Sequence, residues 1–417
     1  MSSKPAVVLL GFFGRGNAGD EAFLHVQYEL LKDKYHIVLP VEHRNAAPDF
    51  QTWYPYHDCE IINYDDVPRI YGSDVVALHI GGGSLPFGFS GQFLLSAFDA
   101  KKRTLISGVD ASVKPTLPRD NIRFDIYSRL DFFSVRTLKS VTNLRQSGVL
   151  VHHGADWALG LQAVEPPPER RGGALVTVRD FGQPGQENIE AVTQLHEYLE
   201  RQGHRVRYLP FSPEDRRVLD QFPTANAKKN IENCWHDPRQ VKGHIKEADV
   251  VVSVGRLHTL IMSMTADVPT IAIDPKIMVD GRHIMNRKNL FFCEEVGLPF
   301  FHSVGDMITA YGDTFNERLS AKNFAPDYYE RFRSQTELFL AAIAGETANE
   351  WRQSAMASLP PGNTGEGPAT EASTVASDRP VVAKVNGKVL TPERLARREA
   401  KRAQKLALRA AQKGQSV

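Results

Sequence analysis

The chain is poor in cysteine: Cys59, Cys234 and Cys293 are its only three in 417 residues. They form no C-x-x-C pair, no metal-type cluster and no disulfide framework, which excludes a disulfide-stapled scaffold and fits a reducing compartment. Long hydrophobic runs are also missing. No stretch approaches the ~20 continuous apolar residues of a spanning helix. The opening "MSSKPAVVLLGFFG" has one lysine and a short apolar run that ends in glycines, so it is not expected to act as a secretion leader. A cytoplasmic protein is expected, reaching the inner face of a membrane only peripherally. Charge of one sign is not in excess: 50 Lys and Arg stand against 49 Asp and Glu, a net charge of +1. No nucleic-acid partner is expected from that balance.

What is present is ordinary globular composition, 42% apolar and 24% charged, in a chain long enough for two cores. Strand and helix patterns alternate: "AVVLL", "DEAFLHVQYELLKDK", "HIVLP", "DVVALHIGGG" and "RTLISGV" open the first half. "AVEPPPERRGG" reads as a linker. A second series follows, with "GALVTVRD", "ENIEAVTQLHEYLERQG", "RVRYLPF", "DVVVSVG", "RLHTLIMSMTADV" and "PTIAID". The expected fold is α/β, two Rossmann-like domains facing a cleft. Residues 1–165 are the first domain and 166–350 the second, with closing helices. Residues 351–390, rich in Pro, Gly, Ser, Thr and Ala, are expected to be a flexible linker. Residues 391–417 are expected to be a basic helical tail, with Thr391 as N-cap and Pro392 at the first helical position.

The turn "GFFGRGNAGDEAFL" has three glycines, Gly14, Gly16 and Gly19, at G-x-G-x-x-G spacing. Exposed N–H groups at a helix start suit an anion. A diphosphate there would meet Asp20 and Glu21, whose carboxylates repel it, and Gly11-Phe12-Phe13 intervene before the motif. A dinucleotide site, a packing turn, and a site in which Asn17, Asp20 and Glu21 bond to hydroxyl groups all remain open at this point. A second cluster, Gly81, Gly82, Gly83 and Ser84, ends a buried strand, where ligands of open α/β sheets bind; a close-packed loop is the bland alternative.

The sharpest signal is "ADVVVSVGRLHTLIMSMTADVPTIAIDPK". Arg256 at a helix start opposes the helix dipole unless an anion is held there. Arg256, the N–H groups at Leu257–His258 and the imidazole of His258 would then converge on a phosphate or carboxylate, and His258 is also a candidate proton donor. Arg136 and Arg179 end two further strands and either can face the cleft. His152, His153 and Asp156 in "VHHGADWAL" lack another ligand at metal spacing, so no metal is expected.

Taken in order, "GFFGRGNAGDEAFL", "HIGGGSL", "SVRTLKS", "GADWAL" and the R-L-H segment resemble the polysaccharide pyruvyltransferases, from roughly Val7 to Leu340, and "CEEVGLP" fits their bacterial cell-wall members. The resemblance implies a glycosyltransferase B-like fold with the acceptor on the first domain and phosphoenolpyruvate on the second. It implies transfer of a pyruvyl group from phosphoenolpyruvate, the co-substrate, to sugar hydroxyls of a cell-surface or extracellular polysaccharide or its precursor, forming a ketal and releasing phosphate, without a further cofactor. It maps donor binding onto Arg256, Leu257 and His258, with Arg179 first and Arg136 second for a further donor arginine. His258, Asp20 and Glu21 become the catalytic candidates, and Gly16, Asn17, Gly19, Asp20, Gly82, Gly83 and Ser84 the acceptor side. Departures such as Thr137 in "SVRT" fall on that acceptor side. The rival readings are a nucleotide-sugar-dependent glycosyltransferase of the same fold and a non-catalytic glycan-binding protein. A lipid-linked acceptor and a membrane contact through the basic tail are the partner expectations; the oligomeric state is left open.

Overall fold

The computed structural model describes residues 4–357 except 65, 67–70, 73, 84, 86–88, 112–125, 181–185, 223–229, 276, 280–281, 285–286, 320–325 and 347–349, and also residues 384–385 and 388–389. Residues 1–359 form one compact unit and residues 360–417 a second. The described part of the second unit is a pair of antiparallel two-residue strands, Lys384–Val385 and Lys388–Val389. Ser84, most of the expected linker and the whole expected basic tail lie outside the described residues.

The first unit carries two parallel sheets. In the first, β1 (Ala6–Leu10), β2 (His36–Val41), β3 (Glu60–Asn63), β4 (Val75–Gly81), β5 (Arg103–Val109), β6 (Phe132–Val135) and β7 (His152–His153) lie in the order β3-β2-β1-β4-β5-β6-β7. In the second, β8 (Ala174–Val178), β9 (Val206–Tyr208), β10 (Val250–Val254), β11 (Thr270–Ile273) and, after a small hairpin of β12 (Ile277–Val279) and β13 (Arg282–Ile284), β14 (Phe300–Phe301) lie in the order β14-β11-β10-β8-β9. The central strands are apolar on both faces because helices cover both faces of the sheet: every residue of β1, β8 and β10 is buried.

Each sheet reverses its strand order once, between β1 and β4 in the first and between β8 and β10 in the second. Ligands of open α/β sheets bind outside the carboxyl ends at such points. The glycine-rich turn leaves β1 at one of them, and Arg179 and Gly255-Arg256 leave β8 and β10 at the other.

The chain end packs against the first sheet. The helix Pro326–Ala344, grouped by sequence with the second half, packs on the first sheet. Its Gln335 Oε1 accepts from Ser134 Oγ at 2.7 Å and from Ala155 N at 3.1 Å. Its Phe339 ring meets His79 and Trp157, each at 5.0 Å between centroids. The next helix, Glu350–Ala357, extends into the span 351–390 expected as a linker. It too sits on the first half, with Trp351 edge-on to Phe132 and Arg145 donating to Ala355 O at 2.6 Å. Both helices present apolar residues that the first sheet's outer face needs for burial, a demand that sequence order does not reveal. The Pro-rich connector and the residues just before it are held to the second half, since Val164 N donates to Arg239 O at 3.0 Å and the buried Lys242 ammonium donates to Leu159 O and Leu161 O.

Candidate functional site

The glycine-rich turn owes its shape to two needs. Gly14 and Gly16 adopt φ of +77° and +74°, in the left-handed region that glycine occupies without strain. Their N–H groups donate to Glu21 Oε1 at 3.1 and 3.2 Å, and Tyr56 donates its hydroxyl to the other carboxylate oxygen. Glu21 therefore ties the turn together from inside. The second need comes from the opposite sheet. An added Cβ at Gly16 would stand 3.2 Å from Trp235 and 3.4 Å from Pro213, and one at Gly19 would fall inside the His258 ring. Ala18 N donates to Phe211 O at 2.8 Å. The spacing that mimics a dinucleotide fingerprint thus lets the second sheet's side chains close on the helix start, which Asn17 caps by accepting from Gly19 N at 3.2 Å.

At the end of β4, Gly82 and Gly83 take φ of +79° and +63°, and an added Cβ at Gly82 would lie 3.3 Å from Asp20 Oδ1. Asp20 is buried, and burial pushes its carboxyl up to about 7 against the opposing pull of Arg136 and Arg256. Across the junction, His258 stands edge-on to Phe23 with its Nε2 3.6 Å from Asp156 Oδ2. Burial lowers this imidazole to about 4, so in the unliganded protein it is neutral at pH 7.

The arginines divide into three situations. Arg256 is anchored: its Nε donates to Asp215 Oδ2 at 2.7 Å and its Nη2 to Ser212 Oγ at 3.2 Å. Asp215 also accepts from Asp180 N at 2.7 Å and Phe211 N at 3.0 Å, so its orientation is fixed. Arg179 is exposed beside Gly255, and its guanidinium has no hydrogen-bond or ion-pair partner among the described residues. Arg136 is buried, and donates to Asp156 at 2.7 Å and Gly83 O at 3.3 Å, with Asp110 at 3.9 Å. Asp156 therefore lies between Arg136 and His258, joining the first sheet's cation to the second sheet's imidazole. Its other oxygen caps the turn Trp157–Gly160 by accepting from Ala158 N at 2.9 Å. His153 goes elsewhere, to Glu295 at 3.1 Å. Among the described residues no three His, Cys, Asp or Glu side chains gather in metal-binding geometry, and no helix is long and apolar enough to cross a membrane.

With two parallel sheets, their facing strand ends and the R-L-H helix start in place, the sequence model of the polysaccharide pyruvyl transferases matches residues 17–276. The chain belongs to this family. The match begins at the turn's Asn17 and ends just past Asp274-Pro275, so it takes in Asp20, Arg136, Asp156, Arg179, Arg256 and His258.

Solved structures agree on the fold. The UDP-GlcNAc 2-epimerase of Methanocaldococcus jannaschii, in complex with UDP-GlcNAc and UDP, is similar at TM-score 0.54 and 13% identity, over 80% of this chain and 99% of that one. Anabaena HepE, in complex with UDP and glucose, gives 0.52 and 11%, over 82% and 100%. The Neisseria meningitidis UDP-GlcNAc 2-epimerase, bound to UDP-GlcNAc, gives 0.52 and 11%, over 82% and 99%. No curated protein matches the chain. This pyruvyl transferase family member therefore has a parallel-sheet α/β architecture of glycosyltransferase B type.

Of the residues expected at the site, Asp20, Gly82, Gly83, Arg136, Arg256 and His258 gather at the junction, with Arg179 on its rim beside Gly255. Sequence reasoning missed Asp215, which sits in "FSPEDRR" behind the N-cap Ser212 without a motif of its own. It also missed Lys288 on the helix Arg287–Val296, whose charge reaches Asp20, Arg136 and Arg179.

Asp20 makes the stability of the fold depend on pH. Its folded-state carboxyl is raised from 3.8 to about 7, so the stability it contributes is full below pH 3.8 and is lost as pH rises to 7. Asp20→Asn removes this dependence. The variant should gain on the parent by roughly 3–4 kcal/mol between pH 4 and pH 8, since each tenfold change in proton affinity carries about 1.4 kcal/mol. Denaturant midpoints at the two pH values measure the gain; equal differences at both would mean that Asp20 is not desolvated.

Proposed function

We propose that the chain transfers a pyruvyl group from phosphoenolpyruvate to two hydroxyls of a sugar in a cell-surface or extracellular polysaccharide, or its precursor, forming a pyruvate ketal and releasing phosphate. The observation that carries this reading is the meeting of anchored Arg256, neutral His258 and buried Asp20 at the facing ends of the two sheets. Phosphoenolpyruvate brings a phosphate and a carboxylate. Arg256, the N–H groups at Leu257–His258 and the open guanidinium of Arg179 receive them. Arg136, enclosed by Asp156, Gly83 and Asp110, fixes the wall instead of touching the donor.

A polyanionic donor beside His258 raises its pKa and lets it carry the proton that goes to the methylene carbon. The C2 carbon, now electrophilic, is attacked by the first sugar hydroxyl. The C–O bond to phosphate breaks, and the second hydroxyl closes the ketal. Of the two hydroxyl protons released, one replaces the proton given to carbon and the other leaves with phosphate. Asp20, titrating near 7, is the base for a hydroxyl. Glu21 has no share in this step, because one of its oxygens accepts from the turn's N–H groups and the other from the Tyr56 hydroxyl.

The test is phosphate release from phosphoenolpyruvate across a panel of glycan acceptors, with the pyruvyl mass increment read on the product. His258→Ala should lose roughly 10²–10⁴-fold of the turnover. Arg256→Ala should chiefly raise KM for phosphoenolpyruvate. Near-normal transfer by His258→Ala removes the acid assignment, and an unchanged donor KM in Arg256→Ala removes the donor site. The second reading, a nucleotide-sugar-dependent transfer, is favoured by the UDP-bound structures of the same fold. It predicts turnover with a UDP-sugar and none with phosphoenolpyruvate.

A further inference from the structure

Phe12 is an anomaly on the turn between Gly11 and Gly14. It is 47% exposed, although Phe13 beside it is buried. Among the described residues five large hydrophobics are exposed, of which only Leu138 is more so than Phe12, and the other aromatic, Tyr329, lies on the helix Pro326–Ala344. Phe12 instead stands where β1 ends, on the turn that carries Asn17 and Asp20. Its ring is held. The Arg15 guanidinium stacks at 3.9 Å from the centroid, and Arg15 is fixed by its ion pair with Glu42 at the end of β2. Glu42 also pairs with Arg44. Tyr64 donates its hydroxyl to Gly11 O at 2.8 Å and so fixes the backbone at the root of the turn. One face of the ring is thus backed by a cation, while nearly half of the residue is open to solvent, with donors and an acceptor beside it.

We propose that Phe12 is a stacking platform for a pyranose ring of the acceptor, with Arg15, Glu42 and Arg44 bonding to that ring's hydroxyls. A pyranose has one face of C–H groups and a rim of hydroxyls. An aromatic face next to a carboxylate and guanidinium groups matches both parts. A ring backed by a paired arginine loses little rotamer freedom on binding, which preserves affinity. The platform lies over the β1–β2 strand ends, on the first sheet's side, where the acceptor enters in pyruvyl transfer as proposed. It rests on that reading for the identity of the ligand as a sugar.

The experiment uses the full chain and three probes: methyl β-galactoside, methyl β-N-acetylglucosaminide and methyl α-mannoside. Saturation-transfer NMR should show at least one probe bound through the C–H groups of one ring face. Phe12→Ala should abolish that transfer, and Phe12→Tyr should retain it. In the phosphate-release assay Phe12→Ala should raise the acceptor KM about tenfold, the equivalent of one lost stacking contact, and leave the phosphoenolpyruvate KM unchanged. A melting temperature near that of the parent shows that the exposed truncation leaves the fold intact. The platform is overturned if no probe binds the parent, or if Phe12→Ala binds as well as the parent. Transfer with an unaltered acceptor KM in Phe12→Ala sinks the platform and leaves the pyruvyl reading standing. Phe12-dependent glycoside binding without any use of phosphoenolpyruvate does the reverse.

Discussion

Gly19→Ala is expected to lower phosphoenolpyruvate-dependent phosphate release by at least about 100-fold in a chain that still folds. A methyl group at this position would enter the His258 imidazole, so the ring must move or the helix start must back away from the second sheet. Displacement of a reacting group by about 1 Å costs catalysis roughly 10²-fold. The fold should survive. Gly19 lies in the first turn of the helix Ala18–Leu31, and alanine is the better helix former there by up to about 1 kcal/mol. That gain opposes the ~1–3 kcal/mol of overpacking. Steady-state kinetics beside a melting curve separates the two effects. Normal turnover with a normal melting temperature would mean that His258 does not work in the position it occupies here.

Arg136→Ala carries the largest expected loss of stability, about 3–5 kcal/mol. The guanidinium is nearly inaccessible and lies between Asp156 and Asp110, both buried, and its removal takes from Asp156 the cation it hydrogen-bonds and from Asp110 a nearby positive charge. The carbonyl of Gly83 loses a donor as well. Arg136→Lys should recover only part, because one ammonium cannot reproduce the fork that serves Asp156 and Gly83 together. Adding Asp156→Asn to Arg136→Ala should recover stability by removing the buried carboxylate that has lost its guanidinium. Urea unfolding of the three variants measures this order. A loss under 1 kcal/mol for Arg136→Ala would show the group to be solvated. The same variant should disturb His258, since Asp156 joins the two, so a loss of turnover larger than the unfolded fraction explains is part of the expectation.

The gathering of several candidate residues at facing strand ends was legible in the sequence. Strand C-terminal ends in α/β chains are where ligands bind, so glycines and arginines placed just after "AVVLL", "DVVALHI" and "DVVVSV" pointed to strand ends that the fold brings face to face. Arg256 was readable because a cation at a helix start runs against the dipole. The roles were harder to read. Glu21 and Asp20 are neighbours in sequence, yet one turns into its own loop and the other into the junction. Arg136 and Arg179 both end strands; one is enclosed by carboxylates and the other is open beside Gly255. Asp215 and Lys288 had no motif to mark them, since an anchor for an arginine can come from any element that packs nearby.

The sequence by itself determined the two parallel sheets and the strand ends that hold the candidate residues, because burial on both faces imposes apolar runs and glycine marks backbone that a side chain would obstruct. Only the tertiary structure decided what those glycines face. Gly16 and Gly19 are matched to Trp235, Pro213 and His258, more than 190 residues further along the chain. The closing helices were likewise placed on the first sheet by the surface they cover, not by their position in the chain. Long-range packing fixes both, and local periodicity carries no record of which distant face will arrive.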